Sequence, residues 1–200
     1  MHPATRAVIV AGTGVGAAAA LAMTALAQSA GTAAAPVAYN TEGQLIAPAD
    51  YREWVFLSAG LDMTYGPAMP PAGQHRFDNV FVDPAAYRAF KSTGAWPDRT
   101  VMVLEIRNAV TDSSINKAGH VQTDVAAVEL HVKDAARGGW AFYAVNAAGA
   151  TRRMPEGSAC HTCHEKSGAL DTTFVQFYPT LLPFAEKAGT LRASAAPTRR

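Results

Sequence analysis

Apolar and polar positions alternate through the middle of the chain. In "RFDNVFVD", Phe77, Asn79 and Phe81 fall on one side and Asp78, Val80 and Val82 on the other, the period of two that a strand requires. "EWVFLSAGL" and the β-branched "TVMVLEIR" read in the same way, and "VAAVELHV" and "GWAFYAV" supply two further strands. One segment breaks the rhythm. "DPAAYRAFKSTG" offers Asp83 as a helix cap, Pro84 at the first helical position and Gly94 past the end. Asn108 to Gln122 is long and polar and reads as a loop, whereas "DTTFVQFYPTLLPFAEKAG" is helical in spacing with interruptions at Pro179 and Pro183. Strands joined by short links around one internal helix predict an α+β fold, a mostly antiparallel β-sheet with a helix between strands and a C-terminal helical segment.

The ends of the chain differ from this middle. "MHPATRAVIVAGTGVGAAAALAMTALAQSA" has one basic residue, Arg6, then an apolar run and Ala25-Leu26-Ala27, a small-residue cleavage pattern. Residues 1–27 are therefore expected to be a signal peptide that sends the protein to the periplasm. A retained membrane anchor is the alternative, because the run approaches the ~20 residues that cross a bilayer. Gly12-x-Gly14-x-x-Ala17 fits a dinucleotide-binding fingerprint by letters alone, but the first acidic residue is Glu42 and no βαβ unit surrounds it. An Ala/Ser/Gly/Pro tract follows, so 28–38 reads as a flexible linker, 39–192 as one domain and 193–200 as a disordered tail. Lysine and arginine total 17 against 16 acidic residues, which leaves no basic field for nucleic acid.

The chemistry is concentrated in "GSACHTCHEKSGALDTTF", which holds both cysteines of the chain, Cys160 and Cys163, followed by His164. Two cysteines at this spacing can make a disulfide, half a zinc site, or a covalent attachment for haem. Structural zinc wants four ligands, usually from a second pair, and the histidines outside the motif (His2, His75, His120, His131) are scattered singly. Cys-x-x-Cys-His is the haem-attachment signature: both sulfurs reach the porphyrin edge and His164 points at the iron. His161, inside the spacer, is expected to face solvent. One haem c is the leading reading, bound through Cys160 and Cys163 with His164 as iron ligand.

"YREWV", "VDPAAYRAFKSTG", "WPDRTVMVLEIR", "ELHVKD", "GWAFYAV" and "CHTCHEKSGALDTTFVQFYPTLL" come in an order that resembles the cytochrome P-460 family and its sibling group, the cytochromes c′-beta. The resemblance spans about Tyr51 to Leu182. It implies a haem with one face on His164 and the other open to a small ligand, and a homodimer. In cytochrome P-460 proper, the strand equivalent to "TVMVLEIR" carries a lysine bonded to the porphyrin rim, a bond associated with hydroxylamine oxidation. That position here is Leu104, which cannot form such a bond, so the chain resembles the c′-beta branch more closely.

If Leu104 faces the haem, Met102 and Ile106 share its face while Val103 and Glu105 point away. By the same resemblance Phe56 and Phe77 are candidates for an aromatic cap over the open iron position, with the role of ordinary core aromatics as the alternative. Glu129 is a candidate for a catalytic acid that moves protons, with an ordinary solvated strand glutamate as the alternative. His131, which alternates with it, reads as a surface residue. These readings give an exported mono-haem cytochrome that binds nitric oxide or carbon monoxide, with redox chemistry on nitrogen oxides or hydroxylamine as an extension. The rival is a six-coordinate electron carrier with a redox partner protein and a methionine opposite His164. Met63, Met69, Met102 and Met154 are available for that, although Met154 is too near the motif to reach the far face easily.

Overall fold

The computed structural model describes residues 37–64 and 73–193. Six antiparallel strands follow one another across a single sheet in chain order: β1 (Val55–Leu61), β2 (His75–Val82), β3 (Val101–Val110), β4 (Val121–Asp134), β5 (Gly139–Val145) and β6 (Thr151–Arg153). Three α-helices accompany them, α1 (Pro84–Thr93) between β2 and β3, and α2 (Ala159–Ser167) and α3 (Leu182–Ala188) after the sheet. This is the α+β architecture that the alternation predicts. Among the described residues no helix is long and apolar enough to cross a membrane. The expected signal peptide, most of the linker and nearly all of the tail lie outside the described residues.

Register decides which side chains meet. β2 pairs with β3 as Val82↔Met102, Val80↔Leu104 and Asp78↔Ile106, and β3 pairs with β4 as Met102↔His131 and Leu104↔Glu129. Because side chains alternate, these residues share one face. Phe81, Val103, Leu130 and Tyr143 share the other. Each face carries its own core. Leu57, Val82 and Met102 pack with α1, α3 and Leu181 on the first, while Val101, Val103, Leu130 and Val132 pack with Val37, Leu45 and Tyr51 on the second.

Helix α1 follows its sequence signals closely. The Asp83 carboxylate accepts from the Ala86 amide at 2.7 Å, Pro84 occupies the first turn, and Gly94 closes the helix in the left-handed region at φ 71°. Asp83 also accepts from the Val101 amide at 3.1 Å, so one buried carboxylate fixes both the helix start and the entry to β3.

Three expectations need correction. The polar loop is shorter than its composition suggests, because β3 runs to Val110 and β4 resumes at Val121, with Ala109 buried and paired to Gln122. β6 was not expected; Asn146 nucleates the turn before it by accepting from the Ala148 and Ala150 amides. Pro183 does not interrupt a helix but lies in the first turn of α3, where a missing N–H costs nothing.

Candidate functional site

Helix α2 begins at Ser158, whose hydroxyl accepts from the His161 amide, and ends where the Gly168 amide reaches the His164 carbonyl at 2.9 Å. Residues three and four apart share a helix face, so Cys160, Cys163 and His164 form one stripe. Both cysteines are half-buried, and they are not joined in a disulfide. Burial pushes the Cys160 thiol pKa up, and the nearby Glu129 carboxylate adds to this.

The loop after α2 orients the imidazole. Nδ1 of His164 lies 2.7 Å from the Thr172 carbonyl oxygen. A carbonyl can only accept, so Nδ1 carries the proton and Nε2 is left as the lone-pair nitrogen, the form a metal requires. Phe174 and Phe142 hold the ring from two sides, with centroids at 4.2 and 4.6 Å. The Thr172 hydroxyl lies 3.0 Å from Nε2 of His131, which stacks on Phe142. Burial, above all, keeps the pKa values of both histidines below their ordinary value, which favours neutral rings.

Beside this stripe lies a cavity, partly open to solvent, that runs across five strands. Its floor changes character along the sheet. Phe142 and His131 on β5 and β4 adjoin His164; Met102 and Leu104 form the middle; Ser58, Asp78 and Val80 lie at the far end on β1 and β2. Adjacent strands are ~4.8 Å apart, so the floor extends roughly 19 Å from β5 to β1. It is mainly apolar with two carboxylates, Asp78 and Glu129. Burial raises the pKa of each, and the Glu129 charge raises that of Asp78 further.

The sequence candidates divide into two groups. His164, Met102, Leu104 and Glu129 all line the cavity, and both cysteines stand on the helix that borders it. Phe56 and Phe77 do not. Phe56 pairs with Phe81, and Phe77 with Arg107, which puts both on the opposite face of the sheet. There Phe56 packs edge-on against Phe81 with half its surface exposed. His131 is not on the surface; it is buried in the cavity floor, because α2 and the segment after it cover β4. His161 is half-buried against Phe142 rather than facing solvent. Met63 lines the cavity and Met69 lies outside the described residues.

Sequence reasoning missed Asp78, Phe142 and Phe174. Asp78 was within reach of it, since it alternates with Val80 and Val82 on an otherwise apolar side. Phe142 and Phe174 became visible only once α2 was laid against β5.

A thiol pair, an imidazole with its free nitrogen set by a carbonyl, and a long apolar cavity beside them fit a covalently attached haem. No curated protein matches the chain. The family model described as Cytochrome P460 matches residues 48–175, from just before the first strand through all six strands and α2. With that match covering most of the chain and its attachment motif inside it, the protein belongs to the cytochrome P460 family, whose members are c-type haem proteins.

Proposed function

We propose that the protein is an exported, periplasmic mono-haem cytochrome of the c′-beta kind. In this reading Cys160 and Cys163 hold the haem, His164 ligates its iron, and the opposite side stays open for nitric oxide or carbon monoxide. The observation that carries it is the composition of the cavity. Val80, Met102 and Leu104 make its floor apolar, and among the described residues no lysine lines it. Lys91, the nearest lysine before Leu104 in the sequence, belongs to α1, with its ammonium over the rings of Tyr87 and Phe184, and Lys117, as far after it, pairs with Asp112.

When bound, the haem supplies an iron centre that coordinates a small ligand and exchanges single electrons. The chain's own residues set the conditions. The Thr172 carbonyl fixes the His164 tautomer, and Phe142 and Phe174 restrict the ring's rotation. Val80 and Leu104 give the middle of the cavity an apolar floor that disfavours water. Asp78 and Glu129, whose neutral forms burial favours, can hold and return a proton at their carboxyl oxygens. That capacity extends the reading to redox chemistry on nitrogen oxides or hydroxylamine. A homodimer and a redox partner protein complete the proposal.

A second reading, an electron carrier with methionine opposite His164, is favoured by Met63 and Met102 on the cavity wall. Carbon monoxide separates the two. The dithionite-reduced protein should show a Soret shift on adding the gas; a ferrous spectrum that resists it moves the assignment to the methionine-ligated carrier. Proteolysis of the same sample should give the Cys160–Cys163 peptide plus one haem, with no second peptide attached. A cross-linked second peptide would place the protein with the hydroxylamine-oxidising branch.

A further inference from the structure

At one end of the sheet, on the face turned away from the cavity, three metal-ligating residues meet that the haem chemistry does not use. Asp62 follows β1, His75 opens β2, and His120 immediately precedes β4. A carboxylate oxygen and one ring nitrogen from each imidazole all lie within 4.8 Å of one another. Nδ1 of His75 is 2.7 Å from Oδ2 of Asp62, and the two imidazole rings meet edge to face with centroids 4.1 Å apart.

Two further observations distinguish this group from a chance cluster. First, Nε2 of His120 is closed to solvent and has no hydrogen-bond partner among the described residues. A buried polar nitrogen without a partner is costly, and a metal ion or an ordered water satisfies it. Second, the backbone holds the ligands in place without any ion. Asp62 sits in the left-handed region at φ 52°, its amide donates to the Arg76 carbonyl at 2.9 Å, and its Oδ1 accepts from the Arg76 amide at 3.0 Å. His120 is presented by a turn in which Asn116 bonds both the amide and the carbonyl of Gly119, at 2.8 and 2.7 Å. His75 is fixed by its pairing with Ala109.

We propose that Asp62, His75 and His120 form a binding site for one divalent transition-metal ion of the zinc class, separate from the haem. Two imidazoles and one carboxylate suit zinc and its first-row neighbours rather than magnesium or calcium, which prefer oxygen donors. Tetrahedral zinc with bonds near 2.05 Å separates its ligand atoms by about 3.3 Å. The donors all lie within 4.8 Å of one another, at most about 1.5 Å beyond that spacing, and the side-chain torsions of Asp62, His75 and His120 are the means of adjusting it. Solvent or a small exogenous ligand completes the coordination. The ion would tie the residues flanking the β1–β2 connection to the entry of β4.

The test uses the haem-loaded protein, in which the thiols of Cys160 and Cys163 are consumed and cannot capture zinc. After chelation and dialysis, calorimetric titration with zinc should show one site per chain, and titration with magnesium should show none. Zinc should also raise the melting temperature. His120→Ala and Asp62→Asn should each weaken zinc binding at least tenfold and abolish that rise, while His120→Gln serves if the alanine variant folds poorly. Absence of zinc binding by the wild type, equal binding of magnesium, or zinc affinity unchanged in the variants would overturn the proposal. None of these outcomes depends on what the haem binds.

Discussion

Leu104 and Glu105 are neighbours with opposite fates. Leu104 faces the cavity, whereas Glu105 is buried in the opposite face, where it accepts from Tyr51 and is ion-paired with Arg52 and Arg107. Burial alone would raise the Glu105 pKa, but the hydrogen bonds from Arg107, Tyr51 and Arg52 outweigh it and hold the carboxyl below its ordinary value. A carboxyl whose folded value is depressed stabilises the fold fully above its unfolded pKa and loses that contribution as the pH falls through the folded one. Glu105→Gln should therefore cost about 2–3 kcal/mol near pH 7, the scale of hydrogen bonds to a charged group. The gap from the wild type should shrink steadily below about pH 4.5. Urea titrations at several pH values measure it, and a gap that stays constant into acid would show that packing, not charge, is responsible. The alternation in "TVMVLEIR" separates these two residues correctly from sequence alone. It cannot say which face Phe77 joins, because that depends on pairing with Arg107 across a strand boundary, and the family resemblance pointed the wrong way.

Among the elements, the turn after α2 has the most to do in the least space. Gly168 ends the helix, and four residues later Thr172 supplies the carbonyl that orients His164. A Cβ at Gly168 would lie 2.7 Å from the His164 carbonyl oxygen and 2.9 Å from the Thr173 amide, both backbone atoms that cannot swing aside. Gly168→Ala should therefore displace the 168–173 turn and cost about 1–3 kcal/mol, the range for overpacking. It should also change the haem spectrum, since the Thr172 carbonyl moves with the turn. Thermal melts and the Soret band follow the two effects, and an unaltered spectrum in a destabilised variant would separate the turn from the ligand. The first five strands and α1 are legible from the sequence because their signals are local: period two, an aspartate cap, a closing glycine. The burial of His131 is not local. It arises because α2 and the turn, at the other end of the chain, fold over β4.

For the molecule as a whole, the cavity opens into the same face of the sheet that carries Met102 in the core with α1 and α3. An occupant held there covalently stays on the unfolded chain as well, so it stabilises through the contacts it makes only in the folded cavity. With an effective concentration 100 times the dissociation constant of those contacts, it adds about 2.7 kcal/mol. For a domain of this size each kcal/mol is worth roughly 2–4 °C. The double variant Cys160→Ser, Cys163→Ser, purified without haem, should therefore melt at least about 5 °C below the haem-loaded wild type. Loss should concentrate on one face. Amide exchange should quicken in α2, the 168–178 segment and the cavity side of β4 and β5, while the opposite core around Val101, Val103, Leu130 and Val132 stays protected until global unfolding. Equal melting temperatures would mean that the sheet and its second core carry the fold unaided, and that the cavity costs the apoprotein nothing. Uniform loss of protection would instead mean that the two faces unfold as one unit, with the cysteine pair serving the stability of the entire sheet as well as the chemistry beside His164.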